Sequence, residues 1–356
     1  MKRFCILLII FYGSNAFSLE STFGLPKLNL PSNNPQTTSK IALGKKLFND
    51  TRFSSTGSIS CASCHQEKKA FTDGKAQSIG INGLLGKRNA PTLVNSAFMK
   101  SFFHDGRRES LEQQSLDPLT NPVEHGLVDH EIVLKVIQND PSYLKGFLTA
   151  FGITVEKIDM DSVAKAIASY ERTLIAGNSP FDQYFFNSNR RVLNTSEARG
   201  LRIFRRKGNC ANCHEISWNN ALFSDNRFYN IGIGIDSLRV VLPHFLKRLE
   251  VNMQQAISEL NEQQQSELGR FIVTRQLKDI GAYKTPTLRN INLTAPYMHD
   301  GSLKTLEEVV EYYNKGGKKN PFLAPAIFPL HLTTQEKSDL VAFMKKLTSS
   351  QFNKTN

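Results

Sequence analysis

Apolar residues recur at helical spacing through most of the chain, and short turns rich in Pro, Gly and Asn break the runs. Ile41, Leu43, Leu47 and Phe48 predict a helix that starts near Thr38. Residues 109–116, 130–150 and 161–176 read as helices too, the first with a capping-box start at Ser110 and Gln113. Thr195-Ser196-Glu197-Ala198 opens another, to which Leu201, Ile203 and Phe204 add apolar contacts. Thr305 with Glu308 and Thr333 with Glu336 start two more. The last carries Leu340, Val341, Phe343, Met344 and Leu347 on a broad apolar stripe. Strand signals are few, so the predicted fold is all-α.

The pattern is partly repeated. Ala42, Gly44, Leu47 and Phe48 match Ala198, Gly200, Ile203 and Phe204 in spacing, which predicts two related domains. Residues 177–194, around Asn178-Ser179-Pro180, read as the linker. Residues 19–37 read as an extended N-terminal arm. Residues 243–268, rich in Gln, Glu and Leu, read as a surface helix or a disordered excursion, with His244 a solvated residue.

A length of 356 residues suits two domains. Residues 1–18 have a basic start (Lys2, Arg3), an apolar run from Phe4 to Tyr12, and small residues Ser14 and Ala16 at cleavage spacing. That predicts a cleaved secretory signal, too short for a membrane span. The expected location is the periplasm, and a soluble mature protein. Losing Lys2 and Arg3 lowers the net charge of +12 by two. A basic surface would steer anionic partners; an exported protein argues against nucleic acid.

Cysteine usage then narrows the chemistry. Residues 61–65 read Cys-Ala-Ser-Cys-His and residues 210–214 read Cys-Ala-Asn-Cys-His. C-x-x-C-H is the attachment pattern of c-type haem. Two thiols three positions apart reach the two vinyl groups on one porphyrin edge, and the adjacent His offers a nitrogen to the iron. A thioredoxin-like pair or half a zinc site needs no His directly after the second Cys, twice. Cys5 lies in the signal, so Cys61, Cys64, Cys210 and Cys213 are all used and none remains for a disulfide. The reading is two cytochrome c-like haem domains in one chain, an N-terminal one over 38–185 and a C-terminal one over 186–350, with two covalently bound haem c groups on His65 and His214.

Further blocks carry a resemblance: Arg88-Asn89-Ala90-Pro91-Thr92-Leu93; Phe103-His104-Asp105-Gly106-Arg107, followed by Gln114, Pro118 and Glu124; Lys284-Thr285-Pro286-Thr287-Leu288-Arg289-Asn290 with Thr294 to Gly301; and Tyr312-Tyr313-Asn314-Lys315-Gly316-Gly317. With the two C-x-x-C-H motifs, residues 38 to 348 resemble the bacterial di-haem cytochrome c peroxidase and MauG-type family. The resemblance implies that one haem activates hydrogen peroxide and the other stores or relays electrons. Some members close the peroxidatic haem with a His from the loop after the first motif. Residues 66–88 contain no His and no Met, so the haem on His65 is expected to be five-coordinate at rest. Glu124 matches the carboxylate that moves a proton during peroxide cleavage, and Gln114 a second residue of that pocket. His104 stands where relatives place a Trp between the haems; the one Trp of this chain, Trp218, lies elsewhere. An imidazole is harder to oxidise than an indole, so His104 is expected to bridge propionates or water, donate a proton, or simply pack. Tyr313 matches the sixth ligand of the second haem in MauG-type members, with Met298 as the rival. Asn89, Thr294 and Pro296 match positions that hold calcium in relatives.

The function expected is an exported di-haem peroxidase that takes electrons from a small cytochrome c or cupredoxin. A MauG-type enzyme that oxidatively modifies a partner protein is the first alternative, favoured by Tyr313. A di-haem electron carrier without peroxide chemistry is the second. The sequence leaves the oligomeric state open, with a homodimer among the arrangements.

Overall fold

A computed structural model of the protein describes residues 22–353; the signal expected over 1–18 lies outside them. The described chain is helical: α1 (Thr38–Asn49), α2 (Cys61–Cys64), α3 (Leu111–Thr120), α4 (Glu131–Gln138), α5 (Pro141–Phe151), α6 (Met160–Glu171), α7 (Pro180–Phe185), α8 (Thr195–Arg205), α9 (Ile235–Arg239), α10 (Leu242–Val251), α11 (Met253–Ser258), α12 (Glu262–Glu267), α13 (Phe271–Thr274), α14 (Leu306–Asn314), α15 (Thr334–Lys345) and α16 (Ser350–Asn353). One antiparallel ribbon interrupts them, β1 (Phe228–Tyr229) on β2 (Tyr283–Lys284), with Phe228 opposite Lys284. The all-α expectation therefore holds apart from this ribbon.

Two helix pairs organise the halves: α1 packs along α6, and α8 along α15. The crossings are close because each leading helix has a glycine there. A Cβ on Gly44 would lie 1.9 Å from the Ala166 carbonyl oxygen, and one on Gly200 2.0 Å from that of Asp339. The first core gathers Leu43, Leu47, Phe48, Phe147, Val163 and Ile167. The second gathers Leu201, Phe204, Phe223, Leu340, Phe343 and Leu347.

The repeat reaches well beyond the helices. At one constant offset along the chain, Asn89–Leu93 corresponds to Lys284–Leu288, Phe102–Gly106 to Tyr297–Gly301, and α3 to α14. Ser110 caps α3 by accepting from Gln113 N at 3.1 Å, and Thr305 caps α14 by accepting from Glu308 N at 3.1 Å. Phe103 and Met298 hold the same positive φ, 63° and 74°, which turns the next residue, a His in both, toward the opposite half. Isolated bridges Phe102–Arg108 and Tyr297–Leu303 close the two turns alike.

Several expectations are corrected. The helix expected over 130–150 divides at Asn139-Asp140, where Asp140 accepts from Ser142 N at 2.9 Å and Pro141 takes the first helical position. Helix α8 is capped by Asn194, which exchanges bonds with Glu197 at 3.0 and 2.8 Å. The segment expected as a linker carries α7, whose Phe181 is fully buried in the second core. The excursion at 243–268 is neither disordered nor a lone surface helix. Helices α9 to α13 fold around a third core of Leu238, Leu242, Phe245, Ile257, Leu260, Leu268 and Phe271. His244 is exposed, as expected, beside Glu259.

The arm is tied to both halves. Asn34 Nδ2 donates to Glu112 Oε1 at 2.8 Å and to the Lys165 carbonyl at 3.0 Å. Arg289, buried against Asp182 in a bidentate pair (2.7 and 2.8 Å), donates to the Gly24 carbonyl at 2.6 Å. Gly200→Ala should destabilise the protein by about 1–3 kcal/mol, because the added methyl meets a helix backbone that has no room to move. Chemical denaturation followed by far-UV circular dichroism checks this; an unchanged midpoint would show that α8 and α15 can separate freely.

Candidate active site between the two halves

Each C-x-x-C-H segment ends in the same turn. His65 Nδ1 donates to the Phe71 carbonyl at 3.0 Å, and His214 Nδ1 donates to the Phe223 carbonyl at 2.8 Å. Phe71 and Phe223 are both held at positive φ, 59° and 56°. The residue before each Phe is anchored in turn: Thr92 Oγ1 donates to the Ala70 carbonyl at 2.6 Å, and Thr287 Oγ1 to the Leu222 carbonyl at 2.7 Å. The Pro-Thr blocks thus fix both imidazoles. With Nδ1 carrying the hydrogen, Nε2 presents a lone pair, the tautomer an iron atom requires. Burial lowers the pKa of both rings, so both stay neutral.

His65 and His214 line one cavity of about 880 Å³, to which both halves contribute. Burial pushes the thiols up, Cys61 and Cys210 to about 12 and Cys64 to about 11. Neutral thiols suit addition to porphyrin vinyls. The donor set therefore fits two haems, one held by Cys61, Cys64 and His65, the other by Cys210, Cys213 and His214.

The walls opposite the two His residues differ. Leu111, Gln114 and Pro118 of α3, with Glu124, line the first side. Leu306, Val309, Val310 and Tyr313 of α14 line the second. The repeat pairs Gln114 with Val309 and Pro118 with Tyr313. Asn121 Nδ2 donates to Glu124 Oε1 at 2.7 Å, and burial raises the pKa of this carboxyl. The Tyr313 hydroxyl has no hydrogen-bond partner among the described residues, and burial pushes its phenol up, with the Cys210 and Cys213 thiols close enough to add to the shift. Met298 lines the same cavity.

Between the His residues the halves cross. Asn89 N donates to the His299 carbonyl at 2.7 Å, and at the corresponding place Lys284 N donates to the His104 carbonyl at 2.8 Å. His104 Nε2 donates to the Asn89 carbonyl at 2.9 Å, and its ring lies 6.5 Å from that of His299. Burial pushes His104 down to about 3, so the ring is neutral. Tyr283 stacks on His299 with centroids 3.6 Å apart. Its single hydroxyl hydrogen is shared between Glu267 Oε2 at 3.1 Å and the Ser266 carbonyl at 3.0 Å, and His299 Nε2 donates to the same Glu267 oxygen at 2.8 Å. Asn89, Thr294 and Pro296 line the cavity together, with Asn89 Nδ2 donating to the Lys75 carbonyl at 2.6 Å. Lys284, at the position corresponding to Asn89, points its ammonium at the Ser101 carbonyl.

The structure thus gathers Glu124, Gln114, His104, Tyr313, Met298, Asn89, Thr294 and Pro296 with both C-x-x-C-H segments around one space. Sequence reasoning missed Glu267, Tyr283, His299 and the meaning of Pro118. The second His-Asp-Gly turn, matching the first at a fixed distance from the Pro-Thr block, was the signal for His299. Nothing in the sequence pointed to Glu267.

A model of the di-haem cytochrome c peroxidase family matches residues 38–190. The chain is 36% identical over 335 residues to cytochrome-c peroxidase IdrP1 of Pseudomonas sp. strain SCT, covering 92% of this chain and 85% of that one. It is 34% identical over 331 residues to methylamine utilization protein MauG of Methylorubrum extorquens, covering 93% and 84%. Among solved structures, a MauG-like protein associated with microbial copper homeostasis matches with a TM-score of 0.76 at 30% identity, covering 92% of this chain and 95% of that one.

One buried group beside the site has no counter-charge in contact. Glu171, at the end of α6, lines a small cavity of about 50 Å³ with Cys61, His65, Gln114 and Glu124. Its Oε2 has no hydrogen-bond partner among the described residues, and burial pushes its pKa up to about 8. The folded state therefore holds a proton that the unfolded chain has already released above the ordinary Glu range. Folding stability falls as pH rises from that range through about 8. Glu171→Gln should remove this fall, leaving stability flat across the same window. Denaturation midpoints measured between mildly acidic and mildly alkaline pH check it; an unchanged slope would mean that Glu171 is not the group responsible.

Proposed function

The chain belongs to the di-haem cytochrome c peroxidase family, and we propose that its two halves divide the reduction of hydrogen peroxide unequally, the first binding peroxide and the second holding electrons. It is an oxidoreductase that acts on hydrogen peroxide with haem cofactors and a redox partner. The observation that carries the division of labour is that Pro118 and Tyr313 stand at corresponding positions of two corresponding helices that line one cavity. Proline has no side-chain donor atom. Pro118 therefore would offer an iron held at His65 no ligand atom, whereas Tyr313 at the corresponding position of α14 would offer a phenol oxygen to one held at His214.

A haem bound at His65 supplies an open iron site for peroxide, and the chain supplies the proton handling. Cleaving the O–O bond requires the proton on the near oxygen to reach the far one, which leaves as water. Glu124 is suited to accept and return that proton. Its raised pKa brings it nearer the operating pH, where a carboxyl exchanges protons most effectively, and Asn121 holds one of its oxygens in place. Gln114 offers an amide to hydrogen-bond the bound peroxide. At the second site, Tyr313 would hold the iron of the haem together with His214. Burial, with the Cys210 and Cys213 thiols nearby, pushes its phenol up; a cation held beside it would pull the other way. A tyrosinate favours the oxidised over the reduced state of the iron it binds.

Asn89, Thr294 and Pro296 form the calcium site of this reading, with hard oxygen donors and no carboxylate. The corresponding place in the second half carries the Lys284 ammonium instead. Covalent attachment through the four cysteines, export by residues 1–18, and a cytochrome c or cupredoxin as donor complete the proposal. No helix among the described residues is long and apolar enough to cross a membrane.

Glu124→Gln should lower kcat/KM for hydrogen peroxide about 10²-fold or more while leaving the resting optical spectrum unchanged. Steady-state peroxide reduction with a reduced small electron donor measures this; an unaltered rate would remove Glu124 from the mechanism. Stripping calcium with a chelator should change the ferric spectrum and slow turnover, and adding calcium should restore both. Full activity in protein verified to be free of calcium would sink the calcium site.

A further inference from the structure

We propose that Tyr283, hydrogen-bonded to Glu267 and stacked on His299, is an oxidisable side chain that gives up one electron and its phenolic proton during peroxide turnover. The inference rests on the open-site reading above. It starts from an arrangement that packing alone does not require. Three polar side chains from three distant segments meet in a dry place: Tyr283 is 9% exposed, His299 6% and Glu267 2%. Phenylalanine would stack on His299 as well as tyrosine does and would need no partner. Here the hydroxyl is instead supplied with a carboxylate.

Glu267 is seated with little freedom. Its Oε1 accepts from Gln263 Nε2 at 2.7 Å, and its Oε2 accepts from both Tyr283 and His299. A Cβ on Gly234 would lie 1.8 Å from Oε2, so glycine there is what leaves room for the carboxylate. The third core, folded from the excursion at 243–268, is what delivers Glu267 to this place.

This geometry suits a coupled transfer. A buried phenol that loses only an electron becomes a cation in a medium that solvates it poorly. Of the two acceptors that share the hydroxyl hydrogen, Glu267 Oε2 at 3.1 Å and the Ser266 carbonyl at 3.0 Å, only the carboxylate is basic enough to take the proton, which leaves along that bond. The O–H bond of Tyr283 breaks and an O–H bond on Glu267 forms. The products are a neutral phenoxyl radical and a neutral carboxylic acid, so the net charge of the pair does not change. The phenol's pKa, raised well above its ordinary value by burial, keeps it from losing the proton without the electron. Reducing one peroxide to two waters takes up two electrons and two protons. Tyr283 supplies one of those electrons to the peroxide-oxidised site. The electron donor later returns an electron to Tyr283, and Glu267 returns the proton. The position fits as well. Tyr283 and His299 line the cavity that both haem-binding His residues also line, and His104, across from His299, offers only a less oxidisable imidazole.

The test is freeze-quench EPR on the holoprotein after one equivalent of hydrogen peroxide, with the Soret band recorded on the same samples. The expected result is an organic-radical signal whose hyperfine pattern collapses when the protein carries ring-deuterated tyrosine. Tyr283→Phe, which removes a single oxygen, should abolish the signal while the Soret band still responds to peroxide. Glu267→Gln, which keeps an acceptor but takes up no proton, should lose most of it. A tyrosyl signal that survives Tyr283→Phe, or a Soret response in the unaltered protein without any tyrosyl signal, would overturn this proposal alone. An undiminished radical in Glu267→Gln would overturn Glu267 as the proton acceptor. A Soret band that ignores peroxide in every sample would overturn the open-site reading and this proposal with it.

Discussion

Two reciprocal backbone hydrogen bonds hold the account together: Asn89 N to the His299 carbonyl and Lys284 N to the His104 carbonyl. Each joins the Pro-Thr block of one half to the His-Asp-Gly turn of the other. Because the Pro-Thr blocks also anchor the turns that orient His65 and His214, the crossing fixes both imidazoles relative to each other. A shift of one half against the other would strain the two carbonyl anchors at once. Bonds of this sort contribute about 1 kcal/mol each. Their importance here is geometric, since they place both candidate haem sites on one cavity.

On this repeated frame the two halves differ at several positions that line the cavity. In the proposed division of labour, Pro118 against Tyr313 is what would separate an open site from a closed one. Gln114 against Val309 makes the open side polar and the closed side apolar. Asn89 against Lys284 replaces a ligand of the proposed cation site by a fixed ammonium. Arg88 against Tyr283 puts a guanidinium on one side of the crossing, 5.3 Å from the ring on the other. Pairs of matching environments that diverge at single residues are an economical way to give two identical cofactors different tasks.

Much of this was legible in the sequence, and the reason is local. The C-x-x-C-H motifs, the capping boxes at Thr305 and Thr333, and the helix repeat around Gly44 and Gly200 depend on residues within a few positions of one another. Glu124, Gln114 and Tyr313 were reachable only through resemblance, since each alone reads as an ordinary polar or aromatic residue. The failures are non-local. The excursion at 243–268 looks like solvated surface because Gln and Glu dominate it, yet Ile257, Leu260, Leu268 and Phe271 meet across short helices that no single period reveals. Glu267 therefore looked exposed, though it is among the most buried acidic residues described. Asn194 was missed as a cap because Thr195 beside it offered the same chemistry one residue late.

The central claim is that the site at His65 is open and the site at His214 is closed by Tyr313. The most direct measurement is the EPR and optical spectrum of the fully oxidised holoprotein before any reductant or peroxide is added. The account predicts one high-spin and one low-spin ferric haem. Two low-spin haems would contradict it, because some side chain would then close the position that Pro118 leaves empty.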